Sequence, residues 1–101
     1  MLSVETKGRV MVATLSRPPV NAINDSMIAS LDEAIDRAVA DETISVLHVR
    51  SDQKVFSAGA DLALMQSCFT TPEGPDAMIA VVRRMQALFA RLELAPIATF
   101  A

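Results

Sequence analysis

The sequence predicts an α/β protein with a parallel sheet, judged from the order and character of its apolar segments. Two short β-like segments precede an amphipathic helical pattern, and a continuous apolar run follows it. A strand, a crossover helix and a second buried strand favour parallel pairing within one sheet. With 101 residues, 51% apolar and 21% charged, the chain is one globular domain or part of one.

The first two elements are predicted to be the strands of a hairpin, at Leu2–Thr6 and Arg9–Leu15. Lys7-Gly8 between them has the length and the glycine of a tight connection. The second strand ends before Pro18-Pro19, because proline fits neither a helix interior nor a central strand.

A helix is predicted next, running to about Ala40 from an N-cap at Asn24, Asp25 or Ser26. Its apolar residues recur at spacings of three and four, which places them on one face. These residues are Met27, Ile28, Leu31, Ile35 and Val39. The acidic residues on the opposite face are expected to be solvated and to have no chemical role.

The second half of the chain is predicted to contain strands at Ile44–Val49 and Ala95–Ala101, helices at Asp61–Gln66 and Asp76–Leu92, and a loop at Thr70–Pro75. The long helix has an apolar stripe, with its arginines on the other side. The stripe consists of Met78, Val81, Val82, Met85, Leu88, Phe89 and Leu92. Because the last strand is apolar and needs neighbours, we expect residues 1–101 to be cut from a larger domain.

Composition disfavours several classes of partner and site. A net charge of −3 and a pI near 4.9 offer no basic face for nucleic acid. Cys68 and His48 lie in apolar segments and are interpreted as packing residues, and no metal-ligand spacing is present. The sequence has neither a secretory signal pattern nor an apolar run of membrane-spanning length, so we expect a soluble cytoplasmic protein without a membrane partner.

The turn Ser57-Ala58-Gly59-Ala60 is the one candidate site that the residues themselves indicate. It follows a predicted parallel strand, and open parallel sheets bind ligands at the carboxyl ends of their strands. Small side chains let a ligand approach the main chain, and an N–H at a helix start lacks a partner within the helix. The turn therefore either exposes the Ala60 N–H to a ligand oxygen or is only a tight connection. Asp61 is interpreted first as the helix cap.

Two separated motifs resemble segments of the enoyl-CoA hydratase/isomerase (crotonase) family. Val55–Leu62, VFSAGADL, resembles the family's F-[SCA]-A-G-[AG]-D-[LI] segment, and Leu15–Ile23, LSRPPVNAI, resembles L-x-R-P-x-x-N-A-[LI]. Leu94–Ala98 is similar to the strand that follows in these proteins. The resemblance covers the whole chain. It implies a ClpP/crotonase-like fold, of which residues 1–101 are the N-terminal ββαβα portion of a single domain, apparently truncated.

The resemblance also implies a function and a set of site residues. The family binds acyl-coenzyme A thioesters and holds the thioester oxygen between two backbone N–H groups as an enolate develops. Ala60 is implied to supply one of these donors, and Arg17 and Lys54 are weaker candidates for contacting the coenzyme phosphates. Ala58, Asp61 and Leu62 are implied to border the adenine and pantetheine end of the ligand, opposite a wall of Pro19 and Val20. The full implied set of substrate-binding residues is Pro19, Val20, Ala58, Gly59, Ala60, Asp61 and Leu62. Coenzyme A enters as part of the substrate, with no tightly bound cofactor or metal, and the complete protein is expected to be a homo-trimer or hexamer.

Hydration or isomerisation of an enoyl-CoA is the expected reaction, but it stays open, because the family also carries out dehalogenation, decarboxylation and thioester hydrolysis with the same pair of donors. In the family, the second oxyanion donor and the acid/base carboxylates come after the strand at positions 96–101, so we expect no turnover from these 101 residues alone. The alternative is a naturally short, non-catalytic α/β module for binding or assembly. In that case a partner or a second copy would cover the long helix's apolar stripe.

Overall fold

A four-stranded mixed sheet forms the centre of the computed structural model, which describes residues 2–59, 61–70 and 72–101. The strands are β1 (Leu2–Lys7), β2 (Val10–Leu15), β3 (Val46–Ser51) and β4 (Ala98–Phe100), and they are adjacent in that order. β1 pairs with β2 antiparallel, whereas β2 with β3 and β3 with β4 are parallel. The predicted hairpin and the predicted parallel crossover are both confirmed.

The hairpin connection lies one residue later than predicted. Lys7 is the last residue of β1 and pairs with Val10, so Gly8 and Arg9 form the turn. Gly8 has a φ of 60°, a left-handed conformation that costs glycine little and other residues more. The strand pattern predicted that β1 pairs with β2, and the position of the residue with positive φ determines which two residues form the turn.

Three helices connect and cover the strands: α1 (Asp25–Ala40), α2 (Leu62–Phe69) and α3 (Gly74–Leu94). Among the three predicted N-caps of α1, Asn24 has this role, since its side chain accepts a hydrogen bond of 2.8 Å from the Met27 N–H. No helix within the described ranges is long and apolar enough to cross a lipid bilayer.

The helix boundaries after the turn at positions 57–60, which we call the site turn, differ from those predicted. α2 continues to Phe69, and α3 begins at Gly74 rather than at Asp76. Gly74 and Pro75, predicted to be loop, belong to the first turn of α3, because proline there lacks only an N–H that would be unpaired in any case. Of the remaining predicted loop, position 71 lies outside the described residues.

One face of the sheet carries the hydrophobic core. Side chains alternate along the strands, so every second residue of β2 and β3 faces α1. The core consists of Met11, Ala13, Leu15, Ile23, Met27, Ile28, Leu31, Ala34, Ile35, Ala38, Ile44, Leu47, Val49 and Leu88. The predicted apolar face of α1 is therefore confirmed, except that Val39 remains 42% exposed.

α3 packs beside α1 and pairs its arginines with the acidic face of that helix. Arg84 forms an ion pair with Asp25, and Arg91 contacts Asp32 at 2.7 Å and Asp36 at 2.5 Å. The acidic face of α1 was predicted to be solvated and without a chemical role, and two of its carboxylates, Asp32 and Asp36, form ion pairs as well. These side chains are half exposed, so each pair contributes at most about 1 kcal/mol to stability.

The apolar stripe of α3 is only partly covered. Val81 and Leu88 are buried, but Val82 is 43% exposed and Phe89 is 53% exposed. The stripe was predicted correctly as a pattern, but only part of it packs against other described residues of the chain.

α2 and α3 come into close contact where α3 begins. A Cβ added at Gly74 would lie 1.5 Å from the Cys68 carbonyl oxygen. The Cys68 carbonyl belongs to the main chain and cannot turn away as a side chain could. A side chain at position 74 therefore requires α2 or α3 to move.

Replacement of Gly74 by Ala is expected to lower the free energy of unfolding by about 2 kcal/mol or more, as for other overpacked positions. Gly8→Ala is the matched control, because a Cβ there meets nothing within 4 Å and only the positive φ opposes it. Urea unfolding followed by circular dichroism measures both variants. A Gly74→Ala protein at least as stable as Gly8→Ala would contradict the close contact.

Candidate functional site

A groove of about 420 Å³ lies between two segments that follow β2 and β3, within the roughly 300–1,000 Å³ typical of ligand pockets. One wall comes from the segment 17–22 and the other from the segment 58–63. The lining residues are Arg17, Pro18, Pro19, Val20, Ala22, Ala58, Asp61, Leu62 and Ala63. We call it the strand-end groove, because parallel β2 and β3 direct their carboxyl ends to the same edge of the sheet.

Most of the implied binding residues come together in this groove. Pro19 and Val20 line one wall, and Ala58, Asp61 and Leu62 line the other. Gly59 lies in the turn between Ala58 and α2, with a φ of 74° that favours glycine. Ala60, implied as the oxyanion donor, lies outside the described residues.

Main-chain hydrogen bonds hold the two walls together. The Ala58 N–H donates to the Val20 carbonyl at 2.9 Å. The Ile23 N–H donates to the Gly59 carbonyl, and the Ile23 carbonyl accepts from the Asp61 N–H, both at 2.8 Å. The turn is therefore fixed to the other wall on both sides of position 60.

Asn21 organises the loop behind the groove. Its side chain is fully buried and makes three hydrogen bonds. The amide nitrogen donates to Ser51 Oγ at 2.7 Å and to the Phe56 carbonyl at 2.9 Å, while Oδ1 accepts from the Arg17 N–H at 2.8 Å. Asn21 thus joins the loop after β2 to the end of β3 and to the start of the site turn.

The backbone of Asn21 explains why this position suits asparagine. Its φ of 52° lies in the left-handed region, which asparagine enters more readily than other residues with a side chain. Ser57 Oγ also donates to the Asn21 carbonyl, at 2.8 Å. We did not predict this role from the sequence. The available signal was a single polar residue, Asn21, in the otherwise apolar segment between the proline pair and the N-cap of α1.

An ion pair between Arg17 and Asp61 crosses the groove. The guanidinium contacts the Asp61 carboxylate and also donates to the Ala22 carbonyl at 2.7 Å. The two charged side chains are 27% and 14% exposed. Arg17, a weaker candidate for a phosphate contact, is thus engaged with a carboxylate, and the other candidate, Lys54, is exposed and does not line the groove.

Asp61 also has the place in the chain that was predicted for a helix cap. It directly precedes α2, and its carbonyl accepts a hydrogen bond of 3.0 Å from the Met65 N–H. It therefore links the start of the helix to the ion pair with Arg17.

The other titratable groups of interest lie away from the groove. A hydrogen bond from Ser16 Oγ, with a second from Gln53, lowers the pKa of the exposed Asp52. Cys68 is buried in α2, and no group of three or more His, Cys, Asp or Glu among the described residues is arranged to hold a metal. The described part of the groove therefore offers a ligand a cavity, main-chain hydrogen-bonding groups and one arginine that is paired with a carboxylate of the same groove.

Comparisons with known proteins agree on one family. The sequence profile of the family described as enoyl-CoA hydratase/isomerase matches residues 5–92. A Rhizobium meliloti protein named "Probable enoyl-CoA hydratase" is 41% identical over 66 residues, which are 64% of this chain and 26% of that protein. A Streptococcus mutans trans-2-decenoyl-[acyl-carrier-protein] isomerase is 41% identical over 58 residues, which are 56% of this chain and 22% of that protein.

Solved structures show the same fold. The crystal structure of an enoyl-CoA hydratase/isomerase from Xanthobacter autotrophicus matches with a TM-score of 0.85 and 32% identity. The match covers 97% of this chain and 36% of that one. The predicted crotonase fold is confirmed, and this chain spans about a quarter of the length of the curated relatives it matches.

The contribution of Asn21 can be divided between its hydrogen bonds and its backbone. Asn21→Gly keeps the left-handed conformation but removes three partly buried hydrogen bonds, so we expect it to lower the free energy of unfolding by about 2 kcal/mol. Asn21→Ala adds the left-handed penalty of about 1 kcal/mol. Urea unfolding measures both, and an Asn21→Gly protein as stable as the unsubstituted chain would contradict the assigned role.

Proposed function

This chain belongs to the enoyl-CoA hydratase/isomerase family, and we propose that its strand-end groove binds an acyl-CoA thioester for hydration or isomerisation of the enoyl group. The observation that carries this proposal is the convergence of Pro19, Val20, Ala58, Asp61 and Leu62 on one groove. These residues were selected from two separate motifs, and the fold brings them to the same edge of the sheet.

The chemistry proposed for the groove is stabilisation of negative charge on the thioester oxygen. The donor assigned to this chain is the main-chain N–H of Ala60, next to the start of α2. Gly59 and Asp61 are both hydrogen-bonded to Ile23, so the residues on either side of the donor are anchored. An aligned donor of this kind typically lowers a reaction barrier by about 3 kcal/mol, because it does not have to reorganise as charge develops.

The side chains that line the groove are better suited to binding a thioester than a free anion. Pro19, Val20 and Leu62 offer apolar surface, and Leu62 is 73% exposed. Arg17 is paired with Asp61, so the described lining of the groove presents no unpaired cation. This combination suits the adenine and pantetheine end of a thioester substrate, which is the end that the resemblance assigns to Ala58, Asp61 and Leu62, with coenzyme A as part of the substrate and no separate cofactor.

The curated relatives carry hydratase and isomerase names, which supports the reaction class at that level. In the resemblance, the second donor and the acid/base carboxylates follow the segment similar to Leu94–Ala98. We therefore propose that these 101 residues bind the thioester without turning it over. The trimer or hexamer and the cytoplasmic location remain predictions.

A second candidate function is a non-catalytic binding or assembly module. The observation that favours it is the exposure of Ile79, Val82 and Phe89, at 49%, 43% and 53%, on α3. Sedimentation across a range of concentrations, combined with a measurement of thioester affinity, distinguishes the two functions. An assembly module gains mass with concentration and shows no affinity for a thioester.

Replacement of Ala60 by Pro tests the proposed donor, because proline has no N–H to donate. We expect Ala60→Pro to weaken the binding of crotonyl-CoA by about tenfold, the effect of one lost hydrogen bond. Ala60→Gly keeps the N–H and is the matched control, with an expected change below about threefold. Isothermal calorimetry measures the affinities.

Circular dichroism melting of each variant shows whether the fold is retained. A folded Ala60→Pro protein that binds crotonyl-CoA as tightly as the control would contradict the donor assignment. Absence of crotonyl-CoA binding by the unsubstituted chain would contradict the proposed function itself.

A further inference from the structure

An arginine and a carboxylate meet inside the strand-end groove. Among the described residues that line it, Arg17 and Asp61 are the charged ones, and their side chains form an ion pair. The other lining residues are proline, valine, alanine and leucine. The positive charge of Arg17 is therefore balanced by the one negative charge that the described lining contains.

The guanidinium of Arg17 is held on two sides. It contacts the Asp61 carboxylate and donates to the Ala22 carbonyl at 2.7 Å. Asp61 is itself fixed, because its N–H donates to the Ile23 carbonyl at 2.8 Å. The two charged side chains are only 27% and 14% exposed, so water and salt screen their attraction less than that of a surface pair. A ligand anion would have to displace a carboxylate that the backbone holds in place.

This pairing matters for coenzyme A, which carries its negative charges on phosphate groups and is neutral along its pantetheine arm. In the resemblance, Ala58, Asp61 and Leu62 border the adenine and pantetheine end of the ligand. An unpaired arginine at this end would be a strong phosphate ligand, since its planar donors match phosphate oxygens. With Arg17 paired, the described groove offers this end apolar surface and main-chain groups. Lys54, the other candidate for a phosphate contact, is exposed and does not line the groove.

We propose that Asp61 determines the specificity of the groove: by neutralising Arg17, its carboxylate makes the groove recognise the neutral pantetheine arm of a thioester and not the phosphate groups of coenzyme A. This inference rests on the proposed function and deepens it. The recognised ligand is an acyl thioester of pantetheine, with or without the nucleotide. Arg17 makes no phosphate contact while it is paired with Asp61.

Two probes separate the arm from the phosphates: crotonyl-CoA, and crotonyl-pantetheine, which carries the same acyl group and arm without any phosphate. Asp61→Asn keeps the size of the side chain but removes its charge, and so leaves Arg17 without its carboxylate. Asp25→Asn is the matched control, because it releases Arg84 from an ion pair outside the groove and changes the net charge by the same amount. Isothermal calorimetry at low and high salt measures the affinities, and circular dichroism melting shows whether each variant is folded.

Asp61→Asn is expected to bind crotonyl-CoA about fivefold more tightly than the unsubstituted chain at low salt, because the released Arg17 attracts a phosphate group. The gain should disappear at about 1 M salt, where charges more than a few ångströms apart are screened. The affinity for crotonyl-pantetheine should change by less than about twofold. Asp25→Asn should show no such difference between the two probes.

A second variant, Arg17→Gln combined with Asp61→Asn, decides the matter if Asp61→Asn does not fold. It removes both charges and so leaves neither of them unpaired in the groove. We expect its affinities for the two probes to match those of the unsubstituted chain within about twofold. A loss of affinity for crotonyl-CoA alone would mean that Arg17 contacts a phosphate despite its pairing. An equal loss for both probes would mean that the pair maintains the shape of the groove and not its charge. Either loss would overturn the inference.

Other outcomes separate a failure of this inference from a failure of the proposed function. A folded Asp61→Asn protein with unchanged affinity for crotonyl-CoA, or with equal changes for both probes, would overturn the inference alone. Binding of crotonyl-CoA but not of crotonyl-pantetheine by the unsubstituted chain would do the same. If the unsubstituted chain binds neither probe, the proposed function is overturned and this inference with it.

Discussion

The buried amide of Asn21 is the interaction on which the site depends. It joins the loop after β2 to Ser51 at the end of β3 and to the Phe56 carbonyl before the site turn. Without these bonds a loop containing Pro18-Pro19 would lose this tie to the site turn and keep the main-chain contacts at Val20 and Ile23 and the Arg17–Asp61 ion pair. A side chain that satisfies buried donors and acceptors on separate segments fixes their relative position, because leaving any of them unpaired is costly. The left-handed backbone at Asn21 limits which residues can take this place.

The sheet topology brings these segments close together without the help of any side chain of the site. α1 carries the chain from β2 to a parallel β3, so both strands end at the same edge of the sheet. The two main-chain hydrogen bonds of Ile23 then align the turn around Gly59 and Asp61 with the opposite wall. The groove is thus the product of sheet topology, a buried amide and main-chain pairing. The chemistry proposed for it requires little from side chains.

Sequence reasoning predicted what depends on local pattern and missed what depends on tertiary approach. The spacing of apolar residues in α1 and the β2–α1–β3 order were sufficient for a parallel α/β sheet, whereas the crotonase fold and five of the groove residues followed from the resemblance of the two motifs. The pairing of Arg17 with Asp61 spans 44 positions, and that of Arg91 with Asp32 spans 59, so no local signal marks either. Gly74-Pro75 was predicted to be loop because both residues break helix interiors, yet both are tolerated in a first turn.

Amide chemical-shift mapping by NMR with crotonyl-CoA shows whether the strand-end groove binds an acyl thioester. The protein offers a competing apolar cleft of about 350 Å³ between the C-terminal parts of α1 and α3, lined in part by Val39 and Leu94. We expect saturable shifts to concentrate at the amides of Val20, Ala58 and Asp61. Shifts confined to the α1–α3 cleft, or the absence of saturable shifts, would mean that the strand-end groove is not the binding site.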